Sequence, residues 1–134
     1  MNIVVQNISK LTVVAMVMLL SAFDGPTDIF DNVANALKNN NAKEVANYFN
    51  SSVELNIDNS EGVYSKAQAE AVLKNFFSSH PCTGFTISHR GETGGNNSFA
   101  IGTYKSAAGN YRVTVYVKDI SGKQLIHDMK FEKE

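Results

Sequence analysis

The chain has 134 residues, 43% of them hydrophobic, and a single cysteine. This is the size of one domain, which can bury a core without metals or disulfides. Its 12 basic and 13 acidic residues form no long run of one sign, so the composition disfavours nucleic acid as a partner.

The first 22 residues have the pattern of a signal peptide. "MNIVVQNISK" carries one positive charge, "LTVVAMVMLL" is an unbroken apolar run, and "SAF" supplies small residues. Spanning a bilayer takes about 20 apolar residues, so a permanent membrane helix is the weaker interpretation. Cleavage after Ala22 predicts an exported protein, periplasmic or secreted, whose single mature domain is formed by residues 23–134.

Two helices are predicted after the signal. Ile29, Val33 and Leu37 recur every four residues, which is the spacing of one face of an amphipathic helix. Asn41 and Glu44 have the spacing of a capping box. They predict a short second helix that ends near residue 50.

A short strand and a third helix follow. "SVELNID" alternates between apolar and polar residues, as a half-buried strand does, and "NSEG" supplies the turn after it. Ser65 and Gln68 form a second capping box. Apolar residues at helical spacing continue from there towards Pro81, which ends the third helix.

From Thr83 onward the period of the pattern changes to two. The alternating segments "GFTISHR", "SFAIGTYK", "YRVTVYVKD" and "KQLIHDMKFE" are separated by short links rich in Gly and Asn. This pattern predicts an antiparallel meander of four strands. The predicted fold class is therefore α+β, with three N-terminal helices packed on one face of a curved, mainly antiparallel sheet.

The order of these elements, the length and the segment "GVYSKAQAEAVLKNFF" resemble the nuclear transport factor 2-like superfamily. The resemblance covers residues 25–134 and is closest to small exported bacterial members of uncharacterised function. It implies a cystatin-like cone with a pocket between sheet and helices. Some enzymes of this superfamily use a pocket Asp with a Tyr or a second acid. Here Glu54, Asp58, Asp119 and Asp128 fall on polar faces or turns, so no catalytic residue is carried over.

Alternation divides the predicted sheet into an apolar face and a mixed face. The apolar face carries two histidines, and two tyrosines are expected near the opening of the cone. The candidates to line the pocket are Tyr48, Tyr64, His89, His127 and Met129. The mixed face carries aromatic and charged side chains together, as interfaces often do. Its candidates for a two-fold homodimer contact are Tyr104, Arg112, Tyr116 and Lys118.

The histidine in "LIHDMKF" has three possible roles. His127 alternates with Leu125, Met129 and Phe131, which favours a core histidine held by a hydrogen bond. Lining a pocket is the second possibility. Metal ligation is the least favoured, because no pair of histidines has a chelating spacing and no cysteine cluster completes a coordination sphere. No metal and no cofactor are expected.

The leading functional interpretation is an exported, non-enzymatic domain that binds a small apolar or amphipathic ligand, or a protein partner, through the cone. One alternative is a hydrolase- or isomerase-type enzyme that uses His127 or His89 with a tyrosine. Another is a structural dimerisation module. A cavity lined by both histidines favours a ligand or an enzyme, whereas a filled core favours the structural module.

Overall fold

The computed structural model describes residues 28–134. Its helices are α1 (Ile29–Lys38), α2 (Ala42–Ala46) and α3 (Lys66–Ser79). Its strands are β1 (Phe49–Ile57), β2 (Ser60–Ser65), β3 (Cys82–Gly94), β4 (Asn97–Ser106), β5 (Tyr111–Ile120) and β6 (Lys123–Lys133). The predicted signal peptide and its cleavage site lie outside the described residues.

The strands form one curved, open sheet in the order β2-β1-β6-β5-β4-β3. Strands β3 to β6 pair antiparallel in sequence order, so the predicted meander is confirmed. β1 pairs antiparallel with β2 and parallel with β6. The sheet is therefore mixed, and the fold class is α+β.

The helical half differs from the expectation in one respect. Asp58 and Asn59 both have positive φ angles, 55° and 68°, which is the geometry of a two-residue hairpin turn. The residues that follow this turn form β2 before the third helix begins. As a result α3 lies between β2 and β3. The prediction that a strand precedes the third helix is confirmed, whereas β2 was not predicted, and the three helices do not form one N-terminal group.

Local signals fix where the helices begin. The predicted capping box of α3 is present, because the Ser65 Oγ accepts from the Gln68 amide at 3.2 Å and the Ser65 amide donates to Gln68 Oε1 at 3.1 Å. Asn41 Oδ1 accepts from the Glu44 amide at 3.0 Å and so caps α2. Each cap satisfies an amide that the first helical turn leaves without a partner.

The first helix is tied to the edge strand of the sheet by an arginine. Arg90 of β3 donates to Asp28 at 2.7 Å and to Asp31 at 2.5 Å, both at the start of α1. Its guanidinium also lies 5.9 Å from the ring centroid of Phe30. Two carboxylates at the positive end of a helix dipole therefore share one cation, which holds α1 against the sheet.

Candidate functional site

The inner face of the sheet, covered by the helices, is packed with aromatic side chains. Phe76 of α3 lies at its centre, with ring centroids of Tyr104, Tyr111 and Phe131 at 5.5, 5.2 and 4.9 Å. All three partners are at most 1% exposed. Distances of this order are those of aromatic rings in van der Waals contact. In the described part of the chain, these rings fill the middle of the predicted cone.

Tyr104 is part of this filling, so its prediction as a dimer contact is wrong. Its side chain is fully buried, and its hydroxyl donates a hydrogen bond to the backbone carbonyl of His80. Burial raises the pKa of the Tyr104 hydroxyl to well above its usual range. A buried phenol that stays protonated acts here as a hydrogen-bond donor.

The alternation of β4 predicts that Phe99, Ile101 and Thr103 lie on the apolar, inner face, and this prediction is wrong. Small residues, Ala100 and Gly102, lie on the inner face beside Tyr104, and the larger Phe99 and Ile101 lie on the outer face. A Cβ atom on Gly102 would be 2.5 Å from the ring of Phe85 in the neighbouring strand. Position 102 needs a glycine because the ring of Phe85 covers its backbone.

A bulge in β3 turns His89 away from the core. Ile87 pairs with Gly102, and His89 pairs with Ile101, so Ser88 is an extra residue. An extra residue shifts the alternation by one and moves the following side chains to the opposite face. His89 is exposed on the outer face, so its prediction as a residue of the cone pocket is wrong.

His127 lies at a second bulge. Val117 pairs with Ile126, and Tyr116 pairs with Asp128, which leaves His127 as the extra residue of β6. Its ring lies 6.2 Å from that of Tyr116 on the outer face and is half-buried. Burial and the charge of Lys118 lower the pKa of His127. The prediction of a core or cone position for this histidine is wrong.

The remaining pocket candidates lie apart from one another. Met129 is fully buried in the core. Tyr64 packs over Gly62 at the edge of the sheet, where a Cβ would be 2.7 Å from its hydroxyl. Tyr48 borders a shallow depression with Ile29 and Leu125. The structure therefore does not bring the predicted pocket residues together.

An open depression lies on the outer face instead, and we call it the outer groove. Its volume is about 360 Å³. Apolar, aromatic and charged side chains share its lining, and the main ones are Phe99, Ile101, Arg112, Thr114, Tyr116, Lys130 and Glu132. Thr114 is the one buried polar residue of the described chain. The groove thus combines an apolar floor with two cations and one carboxylate at its rim.

Aromatic rings continue across the outer face from β3 to β6. Neighbouring ring centroids are 5.6 Å apart for His89 and Phe99, 6.3 Å for Phe99 and Tyr116, and 6.2 Å for Tyr116 and His127. Lys130 Nζ lies 5.9 Å from the ring centroid of Tyr116. Aromatic residues are enriched at protein interfaces relative to the rest of the surface.

Carboxylates gather on the other half of the same face. Glu54 of β1 pairs in register with Asp128 of β6, and Glu61 of β2 lies beside them. The pKa of Glu54 is raised, first by its hydrogen bond with Glu61 and then by the charge of Asp128. The pKa of Asp128 is also raised, chiefly by burial, while Lys130 lowers it. Asp128 Oδ1 is enclosed without a hydrogen-bond partner in the described chain.

This acidic group predicts that the chain is more stable when Asp128 loses its charge. We expect Asp128→Asn to raise the free energy of unfolding at pH 7 by about 0.5 kcal/mol, a small value because solvent screens the half-exposed charges. The groups that face Asp128 are Glu54 and Glu61, which repel it, and Lys130 and His127, which attract it.

The pH dependence of this effect has a definite sign. Folding raises the pKa of both Asp128 and Glu54. Their ionisation therefore lowers the free energy of unfolding as the pH rises towards the raised pKa values. Below the unfolded pKa of Asp128, 3.8, it has no effect on the free energy of unfolding. The advantage of Asp128→Asn should therefore shrink as the pH falls from 7 to 4. Chemical denaturation at each pH measures it, and an advantage that grows towards pH 4 would contradict the assignment.

The outer face also exposes apolar surface at its edge. Val63 of β2 pairs with Glu54 and is 71% exposed. The other predicted dimer candidates, Arg112, Tyr116 and Lys118, lie on the outer face as expected. Whether they contact a second chain stays a prediction.

Sequence reasoning missed Phe99 and Ile101 as members of this surface. A signal for Phe99 was present, because Gly91 lies opposite it in β3 and a Cβ there would be 2.6 Å from the Phe99 ring. Glycine within a strand often indicates that a neighbouring ring covers the backbone.

Within residues 28–134, no group of three His, Cys, Asp or Glu side chains is arranged to hold a metal ion. No helix among these residues is long and apolar enough to cross a membrane. Neither histidine of the enzymatic alternative has the enclosed site that acid–base catalysis in the cone would need, because both lie on the outer face.

The sequence model of a domain of unknown function, DUF4783, matches residues 30–132. The chain belongs to this family. A DUF4783 family protein from Bacteroides uniformis ATCC 8492 is 30% identical, with a TM-score of 0.76 over 80% of this chain and 98% of that one. Another from Bacteroides fragilis YCH46 is 31% identical, with a TM-score of 0.74 over 81% and 100%. No curated protein matches the chain.

More distant structures share the fold of this DUF4783 chain. A domain of unknown function with a cystatin-like fold from Nostoc punctiforme has a TM-score of 0.62 at 8% identity, over 78% of this chain and 72% of that one. The neighbours include nuclear transport factor 2-like proteins. The resemblance to that superfamily is therefore confirmed at the level of the fold.

Proposed function

We propose that this chain is an exported, non-enzymatic association domain that binds a protein partner through the outer face of its sheet. The observation that carries the proposal is the outer groove, an open depression of about 360 Å³ with an aromatic and aliphatic floor and a charged rim of Arg112, Lys130 and Glu132. Interfaces are enriched in aromatic residues and Arg relative to the rest of the surface.

The size of the outer face suits a protein partner. Strands about 4.8 Å apart, with about 3.3 Å per residue along each strand, give six strands of about ten residues a face of roughly 900 Å². A standard protein interface covers about 800 Å² on each side. One partner of ordinary size therefore has enough surface to bind here.

The inner face is less suited than the outer face to bind a ligand. A small apolar or amphipathic ligand in the cone would need the space that Phe76, Tyr104 and Phe131 occupy. Opening that space would separate buried aromatic rings from one another, which costs several kcal/mol per ring. The filled interior favours the structural alternative over the ligand-binding one.

Photo-crosslinking in the cells that produce the protein tests the proposed face. A photoreactive residue in place of Ile101 lies in the outer groove, and one in place of Lys74 lies on the exposed side of α3 as a control. We expect discrete protein adducts from position 101 and none from position 74. Adducts of the same size from both positions, or none from position 101, would contradict the proposal.

Export is tested separately by intact mass. The apolar run from Leu11 to Leu20 motivates the proposal that the mature protein begins near Phe23. We expect the exported fraction to contain a chain that lacks residues 1–22. A full-length mass in that fraction would count against cleavage.

A further inference from the structure

The two edges of the sheet are protected to different degrees. β3 forms one edge, and its pairing with β4 shifts register at three places. Its Arg90 is also bound to Asp28 and Asp31 at the start of α1. β2 forms the other edge, and its six register pairs with β1 run without a shift. Bulges and covering elements keep other chains from pairing with an edge strand, so β2 is the more open of the two edges.

The backbone of β2 turns two of its residues away from β1. The Asp58 amide donates to the Phe131 carbonyl of β6 at 2.9 Å. Because the backbone groups of successive residues in a strand point to opposite sides, even-numbered residues of β1 face β6 and odd-numbered ones face β2. The register pairs those odd-numbered residues with even-numbered residues of β2. The amide and carbonyl groups of Glu61 and Val63 therefore point out of the sheet.

The Ser65 amide agrees with this orientation. Ser65 is the next odd-numbered residue of β2, and its amide donates to Gln68 Oε1 at 3.1 Å instead of to β1. Glu61 and Val63 have no such cap, because no strand lies beyond β2 in the sheet formed by residues 28–134. Two amides and two carbonyls are thus available to a further strand.

The side chains next to these groups indicate the chemistry of a partner. Val63 is 71% exposed on the outer face. Glu61 lies on the same face and hydrogen-bonds with Glu54 of β1. Among residues 28–134, neither carboxylate has a cationic group within 4.0 Å. A pairing strand could cover Val63 with an apolar side chain and bring a cation to the two carboxylates.

We propose that an extended segment of another protein pairs antiparallel with β2, with an apolar residue opposite Val63 and a lysine or arginine opposite Glu61. The segment therefore reads, from its N-terminus, apolar residue, any residue, basic residue. Addition of a strand to an open sheet edge is a general mode of peptide recognition. The inference goes beyond the proposed function, because the outer groove lies over β3 to β6 and does not include β2.

A second copy of β2 does not suit this edge. Two β2 strands that paired antiparallel through their outward residues would set Glu61 of each copy opposite Val63 of the other. Val63 lies beside Glu54 of its own copy. The carboxylates of both copies would then approach one another with no cation between them, and like charges on neighbouring strands weaken pairing. The partner is therefore a different chain.

Amide hydrogen exchange of the purified chain with a synthetic peptide tests this geometry. The peptide carries Ile-Thr-Lys within a run of threonines. We expect it to slow exchange of the Glu61 and Val63 amides, which are open in the free chain, and to leave the Gly62 and Tyr64 amides, already paired with β1, unchanged. Slow exchange at Glu61 and Val63 without the peptide would overturn the inference, because the edge would already be occupied.

Backbone methylation of the peptide supplies a matched control. N-methylation of the Ile and Lys amides removes the two donors that face β2. We expect it to raise the dissociation constant about tenfold or more, as the loss of one or two net hydrogen bonds does. N-methylation of the central Thr removes a donor that faces away from β2 and should change little. Equal affinities for the three peptides would contradict strand pairing.

Two variants of the chain separate the backbone contribution from the charge. Val63→Pro removes an amide that β1 does not use, so the sheet should persist while peptide binding is lost. Val63→Ala keeps that amide and should still bind. Glu61→Lys should reverse the preference, so that a peptide with Ile-Thr-Glu binds better than one with Ile-Thr-Lys. Binding that survives Val63→Pro, or a preference that Glu61→Lys does not reverse, would overturn the inference.

Discussion

Phe76→Ala is expected to lower the free energy of unfolding by about 3 to 5 kcal/mol, the range for removing a buried aromatic ring. Phe76 joins α3 to three rings of the sheet, Tyr104, Tyr111 and Phe131. Without it the helix and the sheet would face each other across a cavity, because the surrounding rings cannot close the gap fully. Urea denaturation monitored by circular dichroism gives the value.

Phe99→Ala is the control for this experiment, because it removes the same side chain from the outer face. Phe99 is only half-buried, so we expect a loss of about 1 kcal/mol, in proportion to the smaller area removed from water. Equal losses for the two phenylalanines would mean that the cone is not filled by the ring of Phe76.

Gly102→Ala is expected to destabilise the fold by about 2 to 3 kcal/mol, the usual cost of forcing extra atoms into a packed core. The new Cβ would lie 2.5 Å from Phe85 Cζ and 2.7 Å from the backbone oxygen of Thr86. The ring can turn, but the backbone oxygen belongs to the paired strand β3 and cannot withdraw without breaking the pairing. Thermal and chemical denaturation both measure the loss.

Gly84→Ala provides the matched substitution in the adjacent strand. Its Cβ would meet only Lys105 Cδ, at 3.9 Å, so we expect no loss of stability. If Gly102→Ala were as harmless as Gly84→Ala, the reversed orientation of β4 would be wrong, and Phe99 and Ile101 would belong to the core.

Local signals in the sequence were sufficient to predict every described element except β2. Ser65 and Gln68 form their capping box whatever lies around them, because both hydrogen bonds join residues three apart. The change to a period of two after Thr83 likewise identified four strands, since alternation depends only on which side chains are apolar.

The faces of the strands were less predictable than their existence. One extra residue, Ser88 in β3 or His127 in β6, reverses the side on which later residues lie. Neither serine nor histidine is a residue type that indicates a bulge. In β4 the alternation pointed the wrong way because the inner positions are occupied by small residues beneath a neighbouring ring, whereas the larger residues Phe99 and Ile101 lie outside.

The candidate surface could not be derived from the sequence for the same reason. The outer groove draws Phe99, Arg112 and Lys130 from three strands, and their meeting depends on strand order and register together. The parallel pairing of β1 with β6 that brings Glu54 beside Asp128 is a contact between segments about 70 residues apart. Such a contact leaves no local pattern.

The central claim is that this chain associates through the outer face of its sheet. Photo-crosslinking from position 101 in the cells that produce the protein, with the wild-type background compared with Tyr116→Asp and Lys74→Asp, tests it most directly. Tyr116 lies in the outer groove and Lys74 on α3. We expect discrete protein adducts in the wild-type background and in Lys74→Asp, and their loss in Tyr116→Asp. No adduct in the wild-type background, or adducts that Tyr116→Asp leaves intact, would contradict the claim.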